Sequence, residues 1–325
     1  MSTLYRQLTQ AQRYQIWSLR ATGYKLRPIA TKVGVHYSTI SRELRRNTSP
    51  DGYDPKLAHD QSVSRRGAAE KSTKVLAKTN DIIAKGLHLE WSPESISQRM
   101  IAEKLPLAER LSHTTIYRRV ANDKQQGGLL YRDLPRFGKT RWKGGKRNRN
   151  AGVLLIPGRV DITERPCVVD QRERLGDWEG DTVHGRSAHL VTLVDRKSRF
   201  TLVKRVFSKH KQVVGDALIN LLNQVSLKQT LTLDNGGEFA DQIRVSKEAK
   251  VAIFFAKPYA SWQRGTNENT NGRIRRFWPK KFDIGSLTDE EIEDRIFQLN
   301  CTPRKILGGL TPFEAFTGMR VALIT

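Results

Sequence analysis

Three acidic side chains stand where a sheet and the helix after it would expose them. Asp181 lies in DWEGDTVHG, which reads as a strand, and Asp234 ends QTLTLD just before the turn NGGEF. Glu268 opens the helical stretch NENTNGRIRRFW, in which Ile274, Phe277 and Trp278 recur at helical spacing before Pro279 ends it. In QTLTLD, side chains alternate, so Leu231 and Leu233 face one way and Thr230, Thr232 and Asp234 the other. Carboxylates gathered on one surface can hold a hard divalent cation. Taken alone, Glu268 is a solvated helix start; its weight comes from the two aspartates.

The elements that must position these acids are legible beyond residue 151. Strand-like runs occur at 189–195 (HLVTLVD), 200–207 (FTLVKRVF), 229–234 (QTLTLD) and 251–255 (VAIFF). Residues 211–225 form an amphipathic helix with Val213, Val214, Ala217, Leu218, Leu221, Leu222 and Val225 on one side. Hairpin strands first, then alternating helix and strand, predict a mixed sheet flanked by helices, an α/β domain over 151–285, with a helical segment over 286–325.

Charge is the strongest global signal. The 325 residues carry 57 Lys and Arg against 33 Asp and Glu, a formal net charge of +24 concentrated in residues 1–150, and such a surplus attracts phosphate backbones. No apolar run is long enough to span a membrane. The N-terminus, MSTLYRQLTQAQRY, lacks a signal peptide's apolar centre, and Cys167 and Cys301 read as reduced thiols without metal-type spacing. The expected location is cytoplasmic and nucleoid-associated, with no membrane partner.

Residues 1–48 read as a helix-turn-helix. Thr9 caps a helix with Tyr14, Ile16, Trp17 and Leu19 as its apolar face; Ile29, Ala30 and Val33 mark a second; Gly34 makes the turn. A last helix over Ser38 to Arg46 would enter the major groove through Tyr37, Ser38, Thr39, Ser41 and Arg42, with Arg45 and Arg46 on phosphates. Residues 49–125 are a helical region, polar up to about 88 apart from a helix near Val75 to Ile83. Within it, 92–121 reads equally as a second helix-turn-helix presenting Thr114, Thr115, Arg118 and Arg119, or as a plain helical linker. Residues 126–150, basic with Tyr131, Phe137 and Trp142 interleaved, suit a flexible arm along a nucleic-acid backbone.

The stretches DWEGDTV, LVTLVDRKSRF, LTLDNGGEF, PYASWQRGTNENTNGRIRRFWPK and ILGGLTPFEAF, with the N-terminal helix-turn-helix, resemble the bacterial DDE transposases of the insertion sequence 30 family. The resemblance covers nearly the whole chain and is most specific at WQRGTNENTNG; Thr302, where similar sequences carry arginine, is a peripheral departure. It implies an RNase H-like catalytic domain with a five-stranded mixed sheet, and a catalytic, metal-holding triad of Asp181, Asp234 and Glu268. The implied cofactor is Mg²⁺, two ions per site with Mn²⁺ as a substitute, clamping the attacking and leaving oxygens of an in-line phosphoryl transfer. The implied partners are double-stranded DNA, as the element's terminal inverted repeats and as target, in a homodimer or larger synaptic assembly. Helical spacing sets Asn271 and Arg275 on the face of Glu268, so Arg275 would hold a phosphate beside the metals. Trp262, Gln263 and Arg264 would brace the terminal nucleotides. A nuclease that does not join strands, and a DNA-binding repressor on an inactive transposase scaffold, are the alternatives.

Other polar residues have plainer readings. Glu179 shares the face of Asp181 and is read as a solvated or ion-paired neighbour, although a metal-ligand role fits its position. Glu238 is structural, Asp195 in DRKSR a turn residue, and His184 a surface histidine.

Overall fold

The computed structural model describes residues 7–68, 77–137, 156–258 and 260–321. The chain divides into two compact units, Met1–Thr73 and Lys74–Thr325. The break thus falls well beyond the expected boundary at 48.

The first unit contains α1 (Gln10–Ala21), α2 (Leu26–Val33), α3 (Tyr37–Asn47), the short hairpin β1 (Thr48–Ser49) and β2 (Gly52–Tyr53), and α4 (Pro55–Ala68). Thr9 and Gln12 form a capping box at the start of α1. Gly34 ends α2 in the left-handed region, at φ 74°, which sets the turn into α3. Ile16, Ile29, Ala30, Val33, Ile40, Leu44, Tyr53 and Ala58 form the core. The expected apolar face of α1 is only partly right, because Tyr14 and Trp17 are exposed. Arg13 is buried instead, held by Glu43 at 2.7 Å and by the carbonyl of Leu8 at 2.7 Å. Helix α4 lies in the stretch read as polar and aperiodic: it buries only Pro55 and Ala58, so no stripe marks it. Its one signal is Asp54-Pro55, where the Asp54 carboxylate accepts from the amides of Lys56 and Leu57.

The second unit opens with α5 (Ala77–His88), α6 (Pro93–Ala102) and α7 (His113–Gln125). They share a core of Ile82, Ile83, Leu87, Trp91, Ile96, Met100, Ile116 and Val120, against which Leu130, Tyr131 and Leu134 also pack. The first residues of the expected arm are therefore part of this helical layer, whereas Trp142 and the rest of the basic stretch lie outside the described residues. After α8 (Val168–Gln171) come β3 (Asp177–His184), β4 (His189–Asp195), β5 (Thr201–Val206), α9 (Lys211–Asn223), β6 (Thr230–Leu233), α10 (Gln242–Ala249) and β7 (Ala252–Phe255). Helices α11 (Gly265–Phe277), α12 (Asp289–Asn300) and α13 (Pro312–Thr317) complete the unit.

The five strands run in the order β5-β4-β3-β6-β7, with β3, β4 and β5 antiparallel and β6 and β7 added parallel to β3. This is the mixed sheet of the RNase H-like fold. Trp178, Leu231 and Leu233 pack on one face against Val214, Leu218 and Leu222 of α9. On the other face Val183 and Leu190 pack against Ile274 and Trp278, with Ile292 and Ile296 of α12 in the same cluster. Gly180 is needed where β3 meets β6: a Cβ there would lie 2.6 Å from Cδ2 of Leu233. The helical layer and the sheet belong to one unit because Arg99 of α6 and Glu314 of α13 form a buried two-pronged ion pair, at 2.6 and 3.0 Å. Cys167 and Cys301 are both free thiols. Among the described residues, no helix is long and apolar enough to cross a membrane.

Candidate catalytic site

Alternation along β3 sends Glu179, Asp181 and Val183 to the face covered by α11. Each finds a partner on successive turns of that helix. Glu179 accepts from the backbone amide of Asn267 at 2.8 Å, Asp181 accepts from the side-chain amide of Asn271 at 2.8 Å, and Val183 packs with Ile274 and Trp278. Residues 267, 271, 274 and 278 are the inward line of the helix, at i, i+4, i+7 and i+11.

Asp234, at the end of β6, comes to the same place. One guanidinium, that of Arg264, joins the two aspartates: Nη2 donates to Asp234 at 2.8 Å, and Nη1 lies 3.7 Å from Asp181 while donating to the carbonyl of Gly180 at 3.0 Å. Burial pushes the Asp181 carboxyl up to about 6; Arg264 opposes that rise and the charge of Asp234 adds to it. The donor chemistry fits a hard divalent ion, for two carboxylates already share one cationic group, with Arg264 standing in for the cation.

Glu268 does not complete a cluster. It stands in the first turn of α11, exposed, about 100° round the helix from Asn267 and so off the inward line. Among the described residues, no three acidic, histidine or cysteine side chains are close enough to hold a metal ion. The structure therefore brings Asp181 and Asp234 together and leaves Glu268 on the exposed side of the first turn of α11.

Arg264 differs from its expected part as a brace for nucleotides, because both carboxylates engage it and its side chain is only 12% exposed. Trp262, by contrast, is 75% exposed in the 3₁₀ turn Ser261–Arg264. Arg275 is half-buried and close enough to Asp181 for that charge to support its proton against the effect of burial.

Two features of the site were beyond the sequence reading. The first is a buried ionic strut: Arg196 donates to Glu179 at 2.6 Å and to the carbonyl of Val169 at 3.1 Å, and also meets Asp170, which Arg165 shares. Of the two plain readings of Glu179, the ion-paired one holds and the solvated one does not, since the residue is fully buried, and it also anchors the first turn of α11. Its position two residues before Asp181 was the only available signal. The second is Asn271, whose contact with Asp181 no charge pattern announces. Asp195 takes the turn role, accepting from Gly176 and Ser198, and Glu238 is held by Thr182 and Lys209. His184 is exposed, edge-on to His189.

In the first unit, Tyr37, Arg42, Arg45 and Arg46 stand exposed along α3, while Ser38, Thr39 and Ser41 are half-buried. Arg42 donates to Oγ of Ser38 at 3.2 Å, and the Arg27 guanidinium lies over the Tyr37 ring at 5.9 Å. In α7, Thr114 and Arg118 are exposed, Thr115 is tied to the capping Ser112, and Arg119 donates to Asn80 of α5 at 2.7 Å.

A helix-turn-helix domain family model matches residues 5–47. The transposase for insertion sequence element IS4351 of Bacteroides fragilis is 37% identical over 95% of this chain and 95% of its own length. The transposase InsI for element IS30A of Escherichia coli is 34% identical over 94% of this chain and 82% of that one. The transposase for IS1086 of Cupriavidus metallidurans is 31% identical over 96% and 94%. Among solved structures, the catalytic core domain of BIV integrase is similar over 43% of this chain and 93% of its own length, at 20% identity and a TM-score of 0.36. With similarity end to end to three such transposases, and with the sheet and helix-turn-helix that the motifs imply, the chain belongs to the insertion sequence 30 family of transposases.

Proposed function

We propose that the protein binds the terminal inverted repeats of an insertion element through α2 and α3 and cuts and rejoins DNA strands at the site between β3, β6 and α11. The observation that carries this reading is the pairing of Asp181 and Asp234 on adjacent parallel strands around one guanidinium. Asp181, Asp234 and Glu268 would hold Mg²⁺, or Mn²⁺ in its place, two ions to a site. Such ions supply positive charge to the attacking and leaving oxygens of an in-line phosphoryl transfer. The chain's own residues do the rest. Asn271 orients the Asp181 carboxylate, Glu179 fixes the first turn of α11 beside it, and Arg264 keeps the two aspartates side by side. Arg275 and Trp262 face the strand to be cut, and the complete reaction engages target DNA in a homodimer or larger synaptic assembly.

The decisive experiment is 3′-end nicking and strand joining on an oligonucleotide carrying the element's terminal repeat, with each acid changed to Ala in turn. Each variant should lose both activities and keep its affinity for the repeat. Wild-type rates in any one of them remove that residue from the site. The exposed position of Glu268 favours a second reading, a DNA-binding repressor on an inactive scaffold. Repeat binding without nicking by the wild type, at millimolar Mg²⁺ or Mn²⁺, would select it.

A further inference from the structure

At the end of β3 lies a cavity of ≈ 580 Å³ lined by His184, Gly185, Arg186, Arg275, Lys280 and Lys281, and its Arg275 feels the charge of Asp181. Four of these side chains are permanently cationic and none is acidic. The neighbouring carboxylates are already engaged: Asp181 by Asn271 and the amide of Thr182, Glu238 by Thr182 and Lys209. Like charges gathered round one cavity repel each other, and an anion seated among them relieves that repulsion. Arg275 makes the case sharper. Its Nη1 is shielded from solvent and has no hydrogen-bond partner among the described residues. A shielded guanidinium donor left unpaired is costly, and an acceptor in the cavity would remove that cost.

The walls are fixed by the backbone. Gly185 donates to the carbonyl of Ala188 at 2.9 Å, and Arg186 donates to the carbonyl of Phe282 at 2.9 Å, which ties the β3–β4 turn to the loop after α11. Ser187 bonds Asp283, and Ile284 is fully buried beneath. At Gly185 a side chain is excluded, since a Cβ would lie 2.6 Å from the carbonyl oxygen of Ala188.

We propose that this cavity seats a backbone phosphate next to the phosphate attacked at the aspartates, on the same DNA strand, with Arg186 and Lys281 acting beside Arg275. The proposal rests on the strand-cutting reading above and extends it to a second contact. A free phosphate is a single anion, whereas several cations round one cavity suit a phosphate that belongs to a polyanionic strand.

The test uses the full chain with Mg²⁺ and a repeat-bearing duplex in which single methylphosphonates replace phosphates one at a time around the cut. Wild type is compared with the double variant Arg186→Ala, Lys281→Ala, in both cleavage rate and equilibrium affinity. Both side chains are exposed, and Lys281→Ala alone serves if the pair fails to fold. At one position the methylphosphonate should cost wild type on the order of tenfold, the scale of one charge-assisted hydrogen bond, and cost the variant nothing further. Additive losses at every position, in both readouts, overturn the proposal. Coupling in affinity without any cleavage by wild type supports the seat and sinks the strand-cutting reading instead. Equal protection of wild type by inorganic phosphate at constant ionic strength, without coupling at any position, assigns the cavity to free phosphate and also overturns it.

Discussion

Glu179 illustrates how one side chain sets the site without touching it. Its carboxylate is fully buried between Arg196 and the amide of Asn267, so it serves at once as counter-ion and as anchor for the first turn of α11. Glu179→Ala would leave the buried Arg196 with the exposed Asp170, at 3.4 Å, as its remaining counter-ion, a loss of about 3–5 kcal/mol of stability by chemical denaturation. Glu179→Gln keeps an acceptor for Asn267 and should lose less. An Ala variant within 1 kcal/mol of wild type, roughly the median cost of any point substitution, would show that the strut is dispensable. At this scale the sequence was half informative. Asp181 and Asp234 were legible because an acid that breaks an apolar strand pattern has few structural reasons to be there. Arg264 was not: in a chain of net charge +24, an arginine near a DNA site looks like a phosphate contact, and only coordinates reveal that it bridges two carboxylates.

At the scale of elements, periodicity decided what could be read. The strands and α9 carry continuous apolar patterns and lie within a residue or two of where the sequence puts them. Helix α4 buries too little to leave a stripe, so nothing in the sequence shows that the compact unit runs on past 48 to Thr73. The helix α11 was legible as a helix, but its inward line was not. The sequence offered Glu268, Asn271 and Arg275 as one face, and the sheet selects Asn267, Asn271 and Ile274 because Glu179 takes hold of the first turn. The recognition helix invites its own prediction. Arg42 of α3 is exposed and already leans on Ser38, so its guanidinium reaches outward from a fixed base. Arg42→Ala should lower affinity for the element's end by about 1–3 kcal/mol, the worth of a bidentate base contact, and lower affinity for random duplex much less. Equal losses on the two duplexes, measured by competition binding at one salt concentration, would reduce Arg42 to a phosphate contact.

For the whole molecule, the question is what makes a helical layer and an RNase H-like sheet one unit when they are far apart in sequence. The Arg99–Glu314 pair, 215 residues apart, supplies the most direct link. Burial alone would raise the Glu314 carboxyl, but the hydrogen bonds from Arg99 and from the amides of Thr311 and Val321, with the Arg99 charge, bring it down to about 2. An unfolded glutamate titrates near about 4.3, so the folded state holds this proton less tightly than the unfolded state does. The stabilisation is therefore fully present above about pH 4.3 and fades as pH falls towards about 2, worth about 3 kcal/mol across that window. Glu314→Gln should consequently be less stable than wild type at pH 7, and the difference between the two should shrink as both are unfolded at successively lower pH. A gap that stays constant from pH 7 to the acid limit would mean that the amide's packing, not the carboxylate's charge, is at fault. Replacing both partners, Arg99→Met with Glu314→Leu, separates fold from charge. Apolar pairs of similar volume often match or exceed a buried ion pair. If the double variant is as stable as wild type at pH 7 and no longer shows the acid-dependent term, the pair fixes how the layers join, and its charge is one of several ways to hold them.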